Sequence, residues 1–223
     1  MSAVDHDPPR WGVVVPVKHR DVAKSRLAVL GDAGRRALAL AFAQDVVLAA
    51  LACPDVARVL VVTDDQDAAR ALHDVGASVV PDDPRAGLNP ALAHGGALLR
   101  ADDPSLGVAA VSADLPALRP DDLTGVLRRV RHRAVVADAA GTGTTLLAAA
   151  PGCELLPSYG EQSLARHLAS GAAPLDGPPG LRRDVDTPDD LDAALALGVG
   201  PRTAAACARL GLARPPGQGT MQP

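Results

Sequence analysis

The amino-acid sequence predicts an α/β fold, a single domain built on a doubly wound, mostly parallel sheet in three α/β/α layers. Short apolar runs alternate with amphipathic helical segments as far as Val130, which is the pattern of parallel strands joined by crossover helices. Beyond that point, the strand-like runs 134–137 and 144–150 are separated by too little chain for such a helix. They therefore predict a small antiparallel portion of the same sheet.

Each element follows from its local pattern. Strands are predicted where short apolar, mostly β-branched runs stand between turn signals, at 11–17, 59–63, 78–80, 108–112, 134–137 and 144–150. Helices are predicted where apolar residues recur every three to four positions or where a start signal precedes them, at 35–51, 66–75, 90–100, 119–130, from 162, from 188 and at 201–210. Gly31 to Gly34 predicts a turn, and Thr187 with Pro188 and Asp190 predicts a capped helix start.

Length and composition limit the classes of protein. The 223 residues suffice for one domain, predicted at 11–211 between loose tails at 1–10 and 212–223. A net charge of -4 and only three aromatic residues argue against nucleic-acid binding, which favours basic faces and stacking platforms. Three distant cysteines predict neither disulfides nor a zinc site. Without a signal sequence or a window long enough for a bilayer, we expect a cytoplasmic protein with no membrane partner.

A basic segment follows the first strand. Lys18, Arg20, Lys24 and Arg26 fall within nine residues, and cations at the carboxyl end of a strand favour a phosphate site. No glycine precedes Lys24-Ser25 at the spacing of a P-loop, and no Gly-x-Gly-x-x-Gly follows the strand, so neither of these nucleotide motifs is present. The alternative for this segment is a solvated turn.

Three aspartates are candidate metal ligands. Asp114 directly follows a predicted buried strand, where a carboxylate faces the ligand crevice and suits magnesium. Asp184 and Asp186 flank Val185, and in an extended segment both carboxylates would share one face. The alternatives are a turn cap for Asp114 and a cap plus a surface charge for the other pair.

Two glycine-containing segments are weaker candidates for anion binding. Residues 141–145 (Gly-Thr-Gly-Thr-Thr) can present amides and hydroxyls to a small anion, or simply form a hairpin turn. Residues 160–163 (Gly-Glu-Gln-Ser) lie at the start of a predicted helix, where the dipole and free N–H groups favour carboxylate or phosphate. His94 and His167 are interpreted as partly buried or surface side chains.

Taken in order, the basic segment, Ala113-Asp114-Leu115-Pro116, Gly141-Thr142-Gly143-Thr144 and Asp184-Val185-Asp186-Thr187-Pro188 resemble one family. The chain looks like the guanylyltransferases of deazaflavin coenzyme F-420 biosynthesis, named for 2-phospho-L-lactate or phosphoenolpyruvate as acceptor. These share the Rossmann-like nucleotidyltransferase fold with the molybdopterin guanylyltransferases. The resemblance covers about residues 11–210. It departs from the sugar nucleotidyltransferases, because Pro16-Val17-Lys18 replaces their glycine-rich signature.

The resemblance implies roles for individual residues. The nucleotide would be bound by Lys18, Lys24, Ser25, Arg26, Thr63, Gly87, Leu88 and Asn89. Magnesium would be held by Asp114, Asp184 and Asp186, and the acceptor by Thr144, Gly160 and Ser163. Lys18, Lys24 and Asp114 would be the catalytic residues.

The implied reaction transfers GMP from GTP to phosphoenolpyruvate, releasing pyrophosphate and giving enolpyruvyl-2-diphospho-5'-guanosine for a downstream transferase. Phosphoenolpyruvate is preferred to 2-phospho-L-lactate because the composition is similar to that of GC-rich bacteria, in which the family is linked to that acceptor. A homodimer is left open. The alternatives are a nucleotidyltransferase using another NTP and a non-catalytic nucleotide-binding domain on the same fold.

Overall fold

The computed structural model describes residues 10–17, 31–83 and 85–212. The strands of these ranges are Trp11–Pro16 (β1), Val56–Val62 (β2), Ser78–Val80 (β3), Gly107–Val111 (β4), Arg133–Ala137 (β5), Thr144–Ala149 (β6) and Ala173–Pro174 (β7). The helices are Gly31–Ala52 (α1), Gln66–His73 (α2), Leu88–Asp102 (α3), Pro120–Leu127 (α4), Ser163–Ala169 (α5), Pro179–Arg182 (α6), Pro188–Leu197 (α7) and Pro201–Arg209 (α8).

The described strands form one sheet in the order β3-β2-β1-β4-β6-β5-β7. The first four strands of the chain pair in parallel, with Val14 of β1 opposite Leu60 of β2 and Ala110 of β4. Only β6 runs against its neighbours, since it is antiparallel to both β4 and β5, whereas β7 is parallel to β5. The predicted mostly parallel sheet with a small antiparallel portion is therefore confirmed.

Helices cover both faces of the sheet. Buried side chains of α1, α2 and α4 pack on one face, and those of α3 pack on the other. On α3 the close approach depends on Gly95, because a Cβ there would lie 2.8 Å from Cγ1 of Val14. Close packing of this kind leaves no room for a larger side chain without a shift of the helix. The predicted three-layer arrangement is present.

The outer side of α1 is buried as well. Leu38 and Phe42 pack against α7, α8 and the buried Val185, so α1 has apolar neighbours on two sides, which explains its long apolar run. Asp45 of α1 is only 4% exposed. Its carboxylate accepts hydrogen bonds from the backbone N–H groups of Arg202 and Thr203, at 3.0 and 2.8 Å. A buried carboxylate of one helix thus caps the start of another.

The boundaries differ from prediction in several places. The predicted turn at Gly31 to Gly34 is wrong, since these residues are the first turn of α1. Pro90 is the third residue of α3 rather than the first. The sequence interpretation missed β7 and α6, of two and four residues, which are too short to show a periodic pattern. The start signal at Thr187 is confirmed as a capping box with Asp190.

Among the helices of the described ranges, none has the length and apolarity needed to cross a bilayer.

Candidate active site

One edge of the sheet collects several of the predicted site residues that the structure describes. The parallel strands β1, β2 and β4 end there, and they lead into Val17, Thr63 and Ser112. Because β6 runs in the opposite direction, its first residue, Thr144, lies at that same edge. The carboxyl end of β5 lies there too, followed by Asp138. This is the edge at which open α/β sheets bind ligands.

The two predicted groups of aspartates meet at this edge. Asp114 follows Ser112, whose backbone N–H donates to the carbonyl of Thr145 at 2.9 Å. The N–H of Val185 donates to the carbonyl of Asp114 at 3.0 Å, so the backbone ties the distant segment 184–186 to the Asp114 turn. Val185 is fully buried and Asp184 partly buried, whereas Asp186 is exposed. Val185 thus packs into the core, and both aspartates that flank it are more exposed than it is.

The carboxylates interact electrostatically. Burial, and then the charges of Asp114, Asp186 and Asp138, raise the pKa of Asp184 to about 7. Crowded carboxylates that oppose one another's ionisation favour a cation between them. Four aspartates therefore interact through their charges, and we call them the acidic cluster: Asp114, Asp138, Asp184 and Asp186.

The acidic cluster offers the oxygen ligands that a divalent cation such as magnesium would use. Within the described ranges, no three His, Cys, Asp or Glu side chains form a group able to hold a metal ion. Magnesium commonly takes one or two carboxylates and completes its shell with water and substrate phosphates. Asp114 and Asp184 fit that requirement, and the three-carboxylate set remains a prediction.

The loop between β5 and β6 is a hairpin connection held by Asp138. Its carboxylate accepts from the N–H groups of Thr142 and Gly143 at 2.9 and 2.8 Å. These two amides are therefore engaged within the loop, and the hairpin alternative describes 141–143 better than an anion cup does. The carbonyl of Thr142 accepts from the N–H of Leu164 at 3.2 Å, which joins this loop to the start of α5.

A buried histidine joins the hairpin to the segment before α5. Nδ1 of His167 lies 2.9 Å from Oγ1 of Thr144, and Nε2 accepts from the N–H of Ser158 at 2.8 Å. His167 is 0% exposed, so its interpretation as a partly buried or surface side chain is wrong. Ser163 is one helical turn before His167 and is also buried, and the two share a face of α5. Of the predicted acceptor residues, Thr144 contacts His167 directly, and Ser163 lies on the same face of α5 as that histidine.

The segment that leads to Gly160 is held by Asn89. The Asn89 amide accepts from the N–H of Tyr159 at 2.6 Å and donates to its carbonyl at 3.1 Å. Gly160 follows with a φ of 120°, a conformation that favours glycine. Asn89 was predicted on the nucleotide side and Gly160 on the acceptor side, so this pair of hydrogen bonds joins a segment predicted for the nucleotide to one predicted for the acceptor.

Thr63 lies beside a cavity at the ends of β2 and β3. Its hydroxyl accepts from the N–H of Asp65 at 3.1 Å, which positions the start of α2. The cavity has a volume of about 500 Å³, with Thr63, Asp64 and Arg85 among its lining residues. Asp64 pairs with Arg85 at 3.2 Å, so the charges in the lining are partly matched.

The predicted phosphate-binding residues Lys18, Lys24, Ser25 and Arg26 lie outside the described residues, and their roles stay predictions. Lys18 follows Val17 directly in the chain. The backbone N–H of Val17 donates to the carbonyl of Val62 at 2.9 Å, so Val17, the last described residue before the basic segment, lies at the same sheet edge.

Comparison with known proteins identifies the family. Residues 11–173 match the family model described as "Guanylyl transferase CofC like". The chain belongs to this family. The CofC-like model ends before Asp184, so this carboxylate comes from a part of the chain beyond the matched range and reaches the site through the Val185 hydrogen bond.

Proteins named phosphoenolpyruvate guanylyltransferase are similar to this CofC-like chain over nearly their whole length. The one from Streptomyces coelicolor is 59% identical over 206 residues, covering 90% of this chain and 97% of the relative. The one from Thermomonospora curvata is 57% identical over 204 residues, covering 90% of each.

Solved structures show the fold of the CofC-like chain. A nucleotidyl transferase from Methanothermobacter matches with a TM-score of 0.59 and 19% identity, covering 84% of this chain and 98% of that one. A CMP:2-keto-3-deoxy-manno-octonic acid synthetase matches with a TM-score of 0.52 and 16% identity, at the same coverage. The predicted Rossmann-like nucleotidyltransferase fold is confirmed.

Sequence reasoning missed two residues of this CofC-like site. His167 carried no signal beyond its spacing of four from Ser163, and burial cannot be read from that spacing alone. Asp138 had a signal, because an aspartate before a Gly-Thr-Gly turn often accepts hydrogen bonds from the turn amides.

Proposed function

We propose that the chain is a phosphoenolpyruvate guanylyltransferase that transfers GMP from GTP to phosphoenolpyruvate and releases pyrophosphate. The observation that carries this proposal is the 59% identity to the Streptomyces coelicolor protein of that name, with 97% of its length covered. The geometry supports it, because one sheet edge brings the acidic cluster together with Thr63, which we assign to the nucleotide, and Thr144, which we assign to the acceptor. The name of these relatives favours phosphoenolpyruvate over 2-phospho-L-lactate as acceptor.

The reaction brings two anions together. A phosphate oxygen of the acceptor attacks the α-phosphorus of GTP, and pyrophosphate leaves. Holding both reactants in line can itself contribute on the order of 7 to 11 kcal/mol. The described side chains need only bind and orient the reactants, since the acceptor supplies the nucleophilic oxygen. Thr144, Gly160 and Ser163 would orient the acceptor, and the cavity beside Thr63 offers room for the guanine base.

Two groups of charges would make the encounter of these anions favourable. Magnesium held by Asp114 and Asp184, with Asp186 nearby, would supply neutralising charge between the two substrates. Lys18, Lys24 and Arg26 would bind the triphosphate, with Ser25 as a further donor. A cytoplasmic location, a role in coenzyme F-420 biosynthesis, a downstream transferase that consumes the product, and a homodimer are further parts of this proposal.

The activity is tested by pyrophosphate release from the purified chain with GTP, magnesium and either acceptor, in the presence of an enzyme that consumes the diphosphate product. We expect release with phosphoenolpyruvate and much less with 2-phospho-L-lactate. No release with either acceptor would refute the proposal, and faster release with 2-phospho-L-lactate would reassign the acceptor. Thermal shifts with GTP, ATP, CTP and UTP would reveal another nucleotide donor, because the bound nucleotide stabilises the fold.

The basic segment yields a prediction about affinity. Lys24→Ala should weaken GTP binding by about 10-fold or more, because a charge-assisted contact to phosphate is lost. Isothermal titration with GTP and magnesium at fixed ionic strength measures this change. Arg20→Ala is the matched control, since Arg20 is the cation of the segment to which we assign no role. Equal affinity in both variants would remove Lys24 from the triphosphate site.

A further inference from the structure

His167 occupies a position from which it can control the hydroxyl of Thr144. It is 0% exposed, and both of its ring nitrogens have partners, Thr144 on Nδ1 and Ser158 on Nε2. The ring of Tyr159 packs against the imidazole edge to face, at 5.0 Å between centroids and an interplanar angle of 73°. Because Asn89 holds the backbone of Tyr159, the imidazole plane is fixed from several directions.

The partner of Nε2 determines where the imidazole carries its proton. A backbone N–H can only donate, so Nε2 must accept from Ser158 and carry no proton. Burial, and then the charges of Arg166 and Arg133, lower the pKa of His167 to about 4. The ring is therefore neutral at neutral pH, and its one proton is on Nδ1.

This tautomer determines the direction of the Thr144 hydroxyl. Since Nδ1–H donates, Oγ1 of Thr144 must accept, and the hydroxyl hydrogen points away from His167. In the opposite tautomer the hydroxyl would donate to Nδ1 and present only lone pairs to its other neighbours. The first arrangement attracts an anion at Thr144, and the second repels it.

Thr144 is placed where such a donor would meet a substrate. It is the first residue of β6. The carbonyl of the next residue, Thr145, accepts from the N–H of Ser112, which stands two positions before Asp114. We propose that His167 is a positioning residue, which fixes the Thr144 hydroxyl as a hydrogen-bond donor to a carboxylate or phosphate oxygen of the acceptor. This inference rests on the proposed function, because it requires an anionic acceptor beside the Asp114 turn.

The tautomer itself is tested without any substrate. In the full chain labelled with ¹⁵N-histidine, long-range ¹H–¹⁵N correlation at pH 7.5 should show His167 with Nδ1 protonated and Nε2 unprotonated. A protonated Nε2 would overturn the inference. This measurement does not depend on the identity of the acceptor, so it separates a failure here from a failure of the proposed function.

Two substitutions test the two hydrogen bonds of His167 separately. In H167Q the side chain can still accept from Ser158 but has no group at the Nδ1 position, so KM for the acceptor should rise about 10-fold while KM for GTP stays within about twofold. In H167N the amide can still donate to Thr144, so the acceptor KM should stay within about threefold even if Tm falls. Equal rises in both variants would indicate a structural role only and would overturn the inference.

Coupling to Thr144 provides the second readout. T144V removes the hydroxyl and should raise the acceptor KM by about 10- to 100-fold. T144S keeps the hydroxyl, so its acceptor KM should stay close to that of the wild type. If His167 acts through this hydroxyl, H167Q should add nothing in the T144V background. Additive effects would overturn the proposal. H132Q, at the opposite end of β5, is the control that should leave both KM values unchanged.

Discussion

Asp114→Asn is expected to lower kcat for guanylyl transfer by about 10³-fold, and Asp184→Asn should do the same. Each substitution keeps the size of the side chain but removes one of the charges that would hold a divalent cation between two anionic substrates. The substitutions should lower kcat more than they raise KM, because the cation is needed most where negative charge develops in the transition state. Pyrophosphate release at saturating GTP and phosphoenolpyruvate measures it.

The matched control is Asp189→Asn, an exposed carboxylate in the first turn of α7, which should leave kcat within about twofold. Thermal unfolding in metal-free buffer separates a chemical cause from misfolding. Asp184→Asn should keep or raise Tm, because it removes a partly buried charge that is repelled by three neighbouring carboxylates. Turnover that persists in both variants would contradict the enzyme's dependence on this cluster. GTP binding without turnover in the wild-type chain would favour the non-catalytic alternative.

Asp45→Ala should cost about 2 to 4 kcal/mol of stability, although Asp45 is not placed among the substrate-binding residues. The substitution leaves the backbone N–H groups of Arg202 and Thr203 without their acceptor and removes the charge that caps α8. At about 2 to 4 °C per kcal/mol for a chain of this size, Tm should fall by roughly 5 to 15 °C.

Denaturant unfolding of the same variant measures the change in free energy directly. Asp192→Ala, an exposed aspartate on α7, is the control and should change stability by less than about 0.5 kcal/mol. The stability of Asp45→Asn should lie between those of Asp45→Ala and the control, because the amide keeps one acceptor oxygen but places its NH₂ donor against a backbone N–H group. A Tm for Asp45→Ala equal to that of the control would show that the cap contributes little.

The sheet could be predicted from the sequence because its strands have recognisable local sequence patterns. Val59 to Val62 and Val108 to Val111 are buried on both faces, so they are apolar throughout and bounded by turn residues. Gly31 and Gly34 misled the prediction, since glycine marks turns in general but here stands in the first turn of α1. In that turn Gly34 is buried and Asp32 pairs with Arg35, and the low helix propensity of glycine reports neither contact.

The site could be predicted in part, for a different reason. Asp114 and Asp184 were identifiable because each stands beside a recognisable strand or helix signal, and the topology then brought them together. The function of His167 was not identifiable, because it depends on Thr144 and Ser158, at sequence separations of 23 and 9 residues. Likewise, nothing in the sequence around Asn89 indicates that its amide would pair with the backbone of Tyr159. These hydrogen-bond partners are determined by tertiary packing, which cannot be read from a single sequence.

The reversed direction of β6 places the residues proposed for the acceptor on one contiguous piece of chain. The parallel strands β2 and β4 lead into Thr63 and the Asp114 turn, which we assign to the nucleotide and the metal, whereas the hairpin and α5, within 138–169, contain the residues assigned to the acceptor. Grafting that stretch from a relative with another acceptor should therefore transfer substrate preference while leaving the nucleotide half intact. In evolutionary terms, the family could diversify its acceptors by changing one contiguous piece of chain, provided that the contact of Asn89 with Tyr159 was kept.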